Sequence, residues 1–299
     1  MAARTVAAIF EGSEPHIVGD GFPVQTFFPQ PGLDAEISPF ILLDYAGPKE
    51  FPPTGEPRGV DEHPHRGFET VTVLYQGELE HRDSAGHSGA LGPGDVQWMT
   101  AASGLVHEEK HAKAFAARGG TLEAVQLWVN LPRAHKMSPP SYQDIRATDI
   151  PVVTVGGGGV GGGVGGGVGG GTVRVIAGAY EGHNGPARTF SPVHLYDVRL
   201  DAGARVEVPI AAGHQTGILV LRGSVDVGDK QVRARELALL TQAGDSVAVT
   251  AAEPSTLLIM SGEPIREPIA RYGPFVMNTR EELTQAVEDY RSGRMGHLS

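Results

Sequence analysis

The sequence predicts an all-β protein of two similar β-sandwich or jelly-roll barrel domains, followed by one short C-terminal helix. Three observations predict it. Apolar runs of strand length, separated by turns rich in glycine and proline, recur from residue 5 to residue 262. At 299 residues the chain exceeds the usual size of one domain. And GILVLRGSVDVGD, at 217–229, repeats the strand, glycine turn and strand of TVTVLYQGELEHRD at 70–83.

Residues 5–45 supply VAAIF, VQTFF and FILLDY, each too short and too interrupted for a helix. GPKEFPPTGEPRGVDE (47–62) follows, a loop by its proline and glycine content. Phe51 within it is a candidate lid residue, weighed against a plain packing role. From Glu69, apolar and polar residues alternate through ETVTVLYQGELEHRDS, turn at 86–89, turn again at Pro93-Gly94-Asp95, and resume in VQWMTA. TLEAVQLWVNLP (121–132), with Trp128, closes the first domain, and RAHKMSPPSYQDI reads as an extended connection.

Gly156–Gly171 holds thirteen glycines and three valines. No Lys-Ser/Thr pair follows to make a phosphate loop, and no proline-rich triplet period makes collagen. It reads as a flexible insertion, because glycine chains lose too much backbone entropy to order without packing. Strand patterns return in VRVIAGAY, VHLYDVRL, GILVLRGSVDV, ELALLT, SVAVTA and TLLIMSG. Thr279 then caps a helix to Arg291, with Glu281 and Glu282 against its N-terminal dipole and Leu283, Val287 and Tyr290 on one side. The expected division is residues 1–136 as a first domain, 137–172 as a linker, and 173–299 as a second domain with the helical tail.

Composition narrows the chemistry. There are no cysteines, which removes disulfides, thiolate ligands and thiol nucleophiles and leaves histidine and carboxylate. A net charge of −11 without a Lys/Arg cluster argues against binding nucleic acid directly. No apolar run approaches membrane length, and Glu11 and Glu14 interrupt any signal-peptide pattern, so a cytoplasmic protein is expected.

The chemistry-bearing stretch is Asp61–His111. His63, His65 and Glu69 open it; His107 and Glu109 close it. In a strand, residues i and i+2 share a face, so His63 and His65 project together, as do His107 and Glu109, while Glu108 faces away. Pro64 suits an edge strand. If the two strands meet inside one barrel, three imidazoles and a carboxylate converge, a set for Fe(II), Mn, Ni, Cu or Zn rather than Ca or Mg. Four such ligands leave two adjacent positions on a six-coordinate ion. His-Pro-His by itself is usually a solvated turn; the signal is its combination with Glu69, Pro-Gly-Asp and His-x-Glu. His81 and His87 read as surface or turn histidines. In the second half, His214 stands alone and only the Gly-Asp turn recurs, at Asp245, so one metal per chain is expected.

HPHRGFET, LGPGDVQWMTAASGLVHEE and GPFVMNT closely resemble the pirin family, two-domain members of the cupin superfamily. The resemblance implies a bicupin fold and, carried over residue by residue, the metal ligands His63, His65, His107 and Glu109. General cupins use instead the carboxylate four residues after the second histidine, here Glu69. The surrounding pirin-like residues favour Glu109. The resemblance further implies a single divalent transition metal, Fe(II) first, with Ni, Mn, Cu, Co or Zn compatible. It implies dioxygenase activity on a small aromatic substrate, a flavonol such as quercetin, with O2, in which Glu109 or Glu69 acts as general base. A second reading is a metal-dependent regulatory protein that binds a transcription factor or metabolic enzyme without turnover.

Overall fold

Valine, threonine and aromatic residues on alternating positions favour a pleated, half-buried backbone, and the chain is built almost wholly of antiparallel strands. The structure, a computed structural model, describes residues 2–30, 33, 36–156 and 169–298. The expectation of a flexible glycine insertion therefore falls largely on residues outside the described ones. Its flanks, Val152–Val155 and Gly171–Ala177, pair antiparallel with Val155 opposite Gly171.

In chain order the first twelve strands are β1 (Val6–Glu11), β2 (His16–Val18), β3 (Phe22–Phe28), β4 (Phe40–Phe51), β5 (Gly59–His65) and β6 (Phe68–Gln76). They continue with β7 (Leu79–Asp83), β8 (Ser88–Leu91), β9 (Val96–Thr100), β10 (Leu105–His111), β11 (Gly120–Asn130) and β12 (Ser141–Ile145). A six-residue helix α1 (Lys113–Arg118) sits between β10 and β11, and α2 (Arg280–Arg291) lies near the C-terminus.

The chain forms two compact units, cupin domains of the same build. One comprises 13–34, 39–147 and 265–299. Its seven-stranded sheet runs β12-β9-β6-β11-β4-β3-β2, and its four-stranded sheet runs β5-β10-β7-β8. The other comprises 1–12, 35–38 and 148–264. Its seven-stranded sheet runs β1, Glu236–Leu240, Gln215–Arg222, Ser255–Gly262, Val193–Leu200, Gly171–Ala177, Val152–Val155. Its four-stranded sheet runs Arg205–Pro209, Ser246–Ala251, Ser224–Val227, Lys230–Arg233. The two strand orders correspond position by position, with β1 in the role of β12, as an internal duplication requires.

The units depart from a division by chain order. β1 is registered on Glu236–Leu240, so the N-terminal strand completes the later unit. Ser141–Ile145 pairs with β9 as an outer strand rather than serving as a linker. Residues 265–299 join the earlier unit, where Leu283 and Ala286 of α2 pack with Val106, Phe275, Met277 and Met295. The α2 N-terminus is a capping box: the Glu282 amide donates to Thr279 Oγ1 and the Thr279 amide to Glu282 Oε2. Phe51 is no lid. It is buried with Leu74, Leu79, Phe115 and Leu122, a packing cluster of the same unit.

Candidate metal centre

The four-stranded sheet of the earlier unit brings the histidines together. β5 and β10 are antiparallel neighbours with His107 opposite His63 and Leu105 opposite His65. Between His107 and Glu109 the register shifts, since Glu109 faces Val60, a bulge that re-aims the side chains on either side of it. The ring centroids of His63 and His65 lie 4.8 Å apart, those of His63 and His107 4.3 Å, and those of His65 and His107 5.0 Å. One ring nitrogen from each lies within 4.8 Å of the other two. Among the described residues no other group of three histidines or carboxylates does this.

The hydrogen bonding around the rings fits a cation. His63 Nδ1 is 2.7 Å from the Asp61 carbonyl, which fixes that nitrogen as the donor and leaves Nε2 with its lone pair. His65 Nδ1 and both nitrogens of His107 are buried without a hydrogen-bond partner. Each orphaned polar atom costs about 1–3 kcal/mol unless something pairs with it. Burial first, and then the neighbouring imidazoles, holds His65 and His107 well below the usual histidine range, with the Pro274 carbonyl opposing at His65. Both are therefore neutral, as ligating imidazoles must be. A divalent transition metal matches this donor set.

The two acids part company. Glu109 lines the same cavity as His63 and His65. Its carboxylate accepts hydrogen bonds from Gln126 Nε2 at 3.2 and 3.4 Å and lies outside the close three-histidine group. Glu69, the alternative ligand and base, sits on β6 between Phe68, whose ring meets His65 at 5.1 Å, and Thr70. Thr72 of that strand lines the cavity, so strand alternation turns Glu69 to the opposite face. There it pairs across the sheet with Thr100, whose Oγ1 donates to it at 2.7 Å. Glu69 therefore does not join the histidines.

Burial raises the Glu69 carboxyl from its ordinary 4.5 to about 7. The folded state then holds a proton that the unfolded state has lost between those values, so stability falls as pH rises through that window and stays lower above it. Glu69→Gln should leave metal content unchanged and raise stability at pH 8 by about 2–3 kcal/mol relative to the effect at pH 4.5. Urea unfolding at the two pH values reads this directly.

One other histidine expectation is corrected. His81 is buried, not at a turn: its ring stacks on Tyr142 at 5.0 Å, and Nε2 lies 3.6 Å from Asp144. It pairs across the ladder with Glu109, a position that a single-strand pattern does not reveal. His87 is half exposed beside Asp83, as expected. His214, solitary in the sequence, lies 5.4 Å from His194 and 3.3 Å from Ser261 Oγ.

The cavity above the histidines has a volume of about 350 Å³. Its walls are mainly apolar, with the Trp128 indole stacked on Phe68 at 4.2 Å. A polar row crosses the seven-stranded sheet, one residue per strand: Thr26, Asp44, Gln126, Thr72, Gln97 and Asp144, each opposite the next in register, and its first four members line the cavity. Burial raises the Asp44 carboxyl, offset in part by the hydrogen bond from Thr26 and by His16.

Two family models match the chain: Pirin over residues 21–129 and the Pirin C-terminal cupin domain over residues 195–296. A Pseudomonas aeruginosa protein named "Putative quercetin 2,3-dioxygenase" is 51% identical, covering 97% of this chain and 98% of its own. Human pirin is 37% identical over 93% of this chain and 89% of its own. A quercetin 2,3-dioxygenase crystal structure from Acinetobacter baumannii superposes with a TM-score of 0.92 at 43% identity, covering all of both chains. A bacterial pirin from Escherichia coli, solved with nickel(II), shares the fold at 17% identity, with a TM-score of 0.62 over 86% of this chain and 99% of its own.

Proposed function

This chain belongs to the pirin family, and from that premise we propose that it is a cytoplasmic dioxygenase cleaving a flavonol such as quercetin with O2. The proposed metal ligands are His63, His65, His107 and Glu109, around one divalent transition metal, Fe(II) first. The observation that carries this reading is the set of three convergent imidazoles, two of them buried with unpaired nitrogens, beside an apolar cavity. The names of the relatives support the substrate class.

Such an ion, when bound, supplies Lewis acidity toward a chelating hydroxyl–carbonyl pair and open positions for substrate or dioxygen. The remaining work belongs to the side chains. Glu109 takes the proton of the flavonol 3-hydroxyl onto a carboxylate oxygen, and Gln126 Nε2 holds that carboxylate toward the cavity. The Trp128 indole, backed by Phe68, gives a flat wall for an aromatic ring. Apolar walls exclude water from the reacting ring, and the polar row offers partners for the substrate hydroxyls.

The test is oxygen uptake with quercetin by the metal-loaded protein, beside a chelated sample. Catalytic, chelator-sensitive uptake is expected; full metal content without turnover on several flavonols would favour the regulatory reading instead. Trp128→Ala should keep its metal and raise KM roughly tenfold, the loss of an aromatic contact worth about 0.5–1.5 kcal/mol beyond area. Steady-state kinetics beside elemental analysis would check it.

A further inference from the structure

The residues immediately next to the two buried histidines are held by one piece of chain, 265–299, through contacts that do not depend on each other. Arg66 follows His65. Its amide donates to the Pro274 carbonyl at 3.3 Å, and its carbonyl accepts from the Val276 amide at 3.0 Å. Its guanidinium donates through Nε to the Ser103 carbonyl at 2.6 Å and pairs through Nη1 with Asp289 of α2 at 2.7 Å. Both side chains of that pair are nearly buried, 6% and 13% exposed. Asp289 also receives Gln285 Nε2 and Arg294 Nε, each at 2.7 Å.

On the other strand, Val106 precedes His107. Its side chain packs with Met277, Leu283, Ala286 and Met295. Its amide donates to Ser84 Oγ at 3.1 Å, and that hydroxyl donates to the Met295 carbonyl at 2.7 Å. Gly67, two residues past His65, has no room for a side chain: a Cβ there would stand 1.9 Å from the Val276 carbonyl. The Gly67 carbonyl also accepts from Lys136 Nζ, which binds the Val276 carbonyl and Asn130 Oδ1 as well. All three ammonium hydrogens are thereby used.

A ligand set works only when its side chains are held within about half an ångström of their places. We infer that Arg66 is a positioning residue for the metal centre: through Asp289 it couples docking of α2 to the placement of His65, so that metal occupancy and α2 docking are one linked equilibrium. The inference rests on the reading of His63, His65 and His107 as metal ligands. Linkage is reciprocal, so an ion that favours the docked arrangement must itself bind more weakly when docking is weakened. Loss of a merely structural ion pair would lower stability and leave nickel affinity unchanged, and nickel would then slow exchange in α2 no more than in the sheets of the same unit.

The experiment uses the full chain with nickel(II) as the probe. Hydrogen exchange of residues 280–291 is measured in metal-free and nickel-loaded wild type, and nickel affinity by chelator competition in wild type and Asp289→Asn, which keeps the side-chain shape. Expected are exchange slowed in α2 on loading at least tenfold more than in the sheet β12-β9-β6-β11-β4-β3-β2 of the same unit, and ten- to a hundredfold weaker nickel binding in the variant, the range for residues that orient a ligand. Exchange in α2 slowed no more than in that sheet, or a variant that binds nickel as wild type does, overturns the inference while the metal reading stands. Failure of wild type to bind nickel overturns both. Should Asp289→Asn not fold, the exchange measurement on wild type decides alone.

Discussion

His107→Ala will leave the protein folded and almost without metal. His107 is wholly buried, both its nitrogens lack partners, and it stands opposite His63 at the centre of the three-ring group. Removing it deletes one of three imidazoles, and affinity should fall by at least a hundredfold, beyond what loss of an outer-sphere partner costs. The metal-free protein, by contrast, loses packing volume but also two unsatisfied polar atoms, so its stability should change far less. Ligand binding stabilises a fold by about 2.7 kcal/mol at a hundredfold excess over Kd. Wild type should therefore melt at a higher temperature when nickel is added, and His107→Ala should not. His87→Ala, at a half-exposed ring bonded to Asp83, should retain full occupancy in the same assay. A metal-filled His107→Ala protein would show that the ligand shell is drawn wrongly.

Glu109→Gln will cost turnover more than binding. The substitution keeps the size of the side chain that Gln126 holds, yet removes the carboxylate oxygen proposed to accept the substrate proton. General-base catalysis is worth about 10²–10⁴ in rate, so kcat should fall by that factor in flavonol-dependent oxygen uptake. As the proposed fourth ligand Glu109 also holds the ion, so metal affinity falls with it. Glu69→Gln, on the other face of β6, should change neither. Loss of metal in the Glu69 variant together with retention in the Glu109 variant would reverse the assignment.

Much of this site could be read from spacing. His-x-His and His-x-Glu announce two strand faces by period two alone, and the three imidazoles do meet. Thr279 and Glu282 announced the helix start as a local capping pattern, which needs no tertiary knowledge. What stayed hidden depends on partners far away in the chain. Glu69 and Glu109 look equivalent in sequence, and only the alternation along β6, which puts Thr72 on the cavity wall, turns Glu69 away from it. The polar row places one residue on each of six strands, so no local motif records it. β1 has an ordinary strand pattern, and nothing in VAAIF names Glu236–Leu240 as its partner. The short helix α1 has no side-chain cap and escaped the same signals that found α2.

The matched strand order of the two units makes them a natural comparison between one backbone kept hollow and one filled in. In the later copy, Tyr196, Val198, Ile218, Val220, Leu257 and Ile259 meet inside the sheets. In the earlier copy the strands of equivalent rank carry Asp44, Thr72 and Gln126 around open space. The filled copy draws its cohesion from its own side chains at all times. The hollow copy gives up dispersion contacts and hydrogen-bond partners along the same strands, and recovers them only from what enters. Occupancy is thus part of the cohesion of one twin and irrelevant to that of the other, an inequality written into a symmetric pair of frameworks.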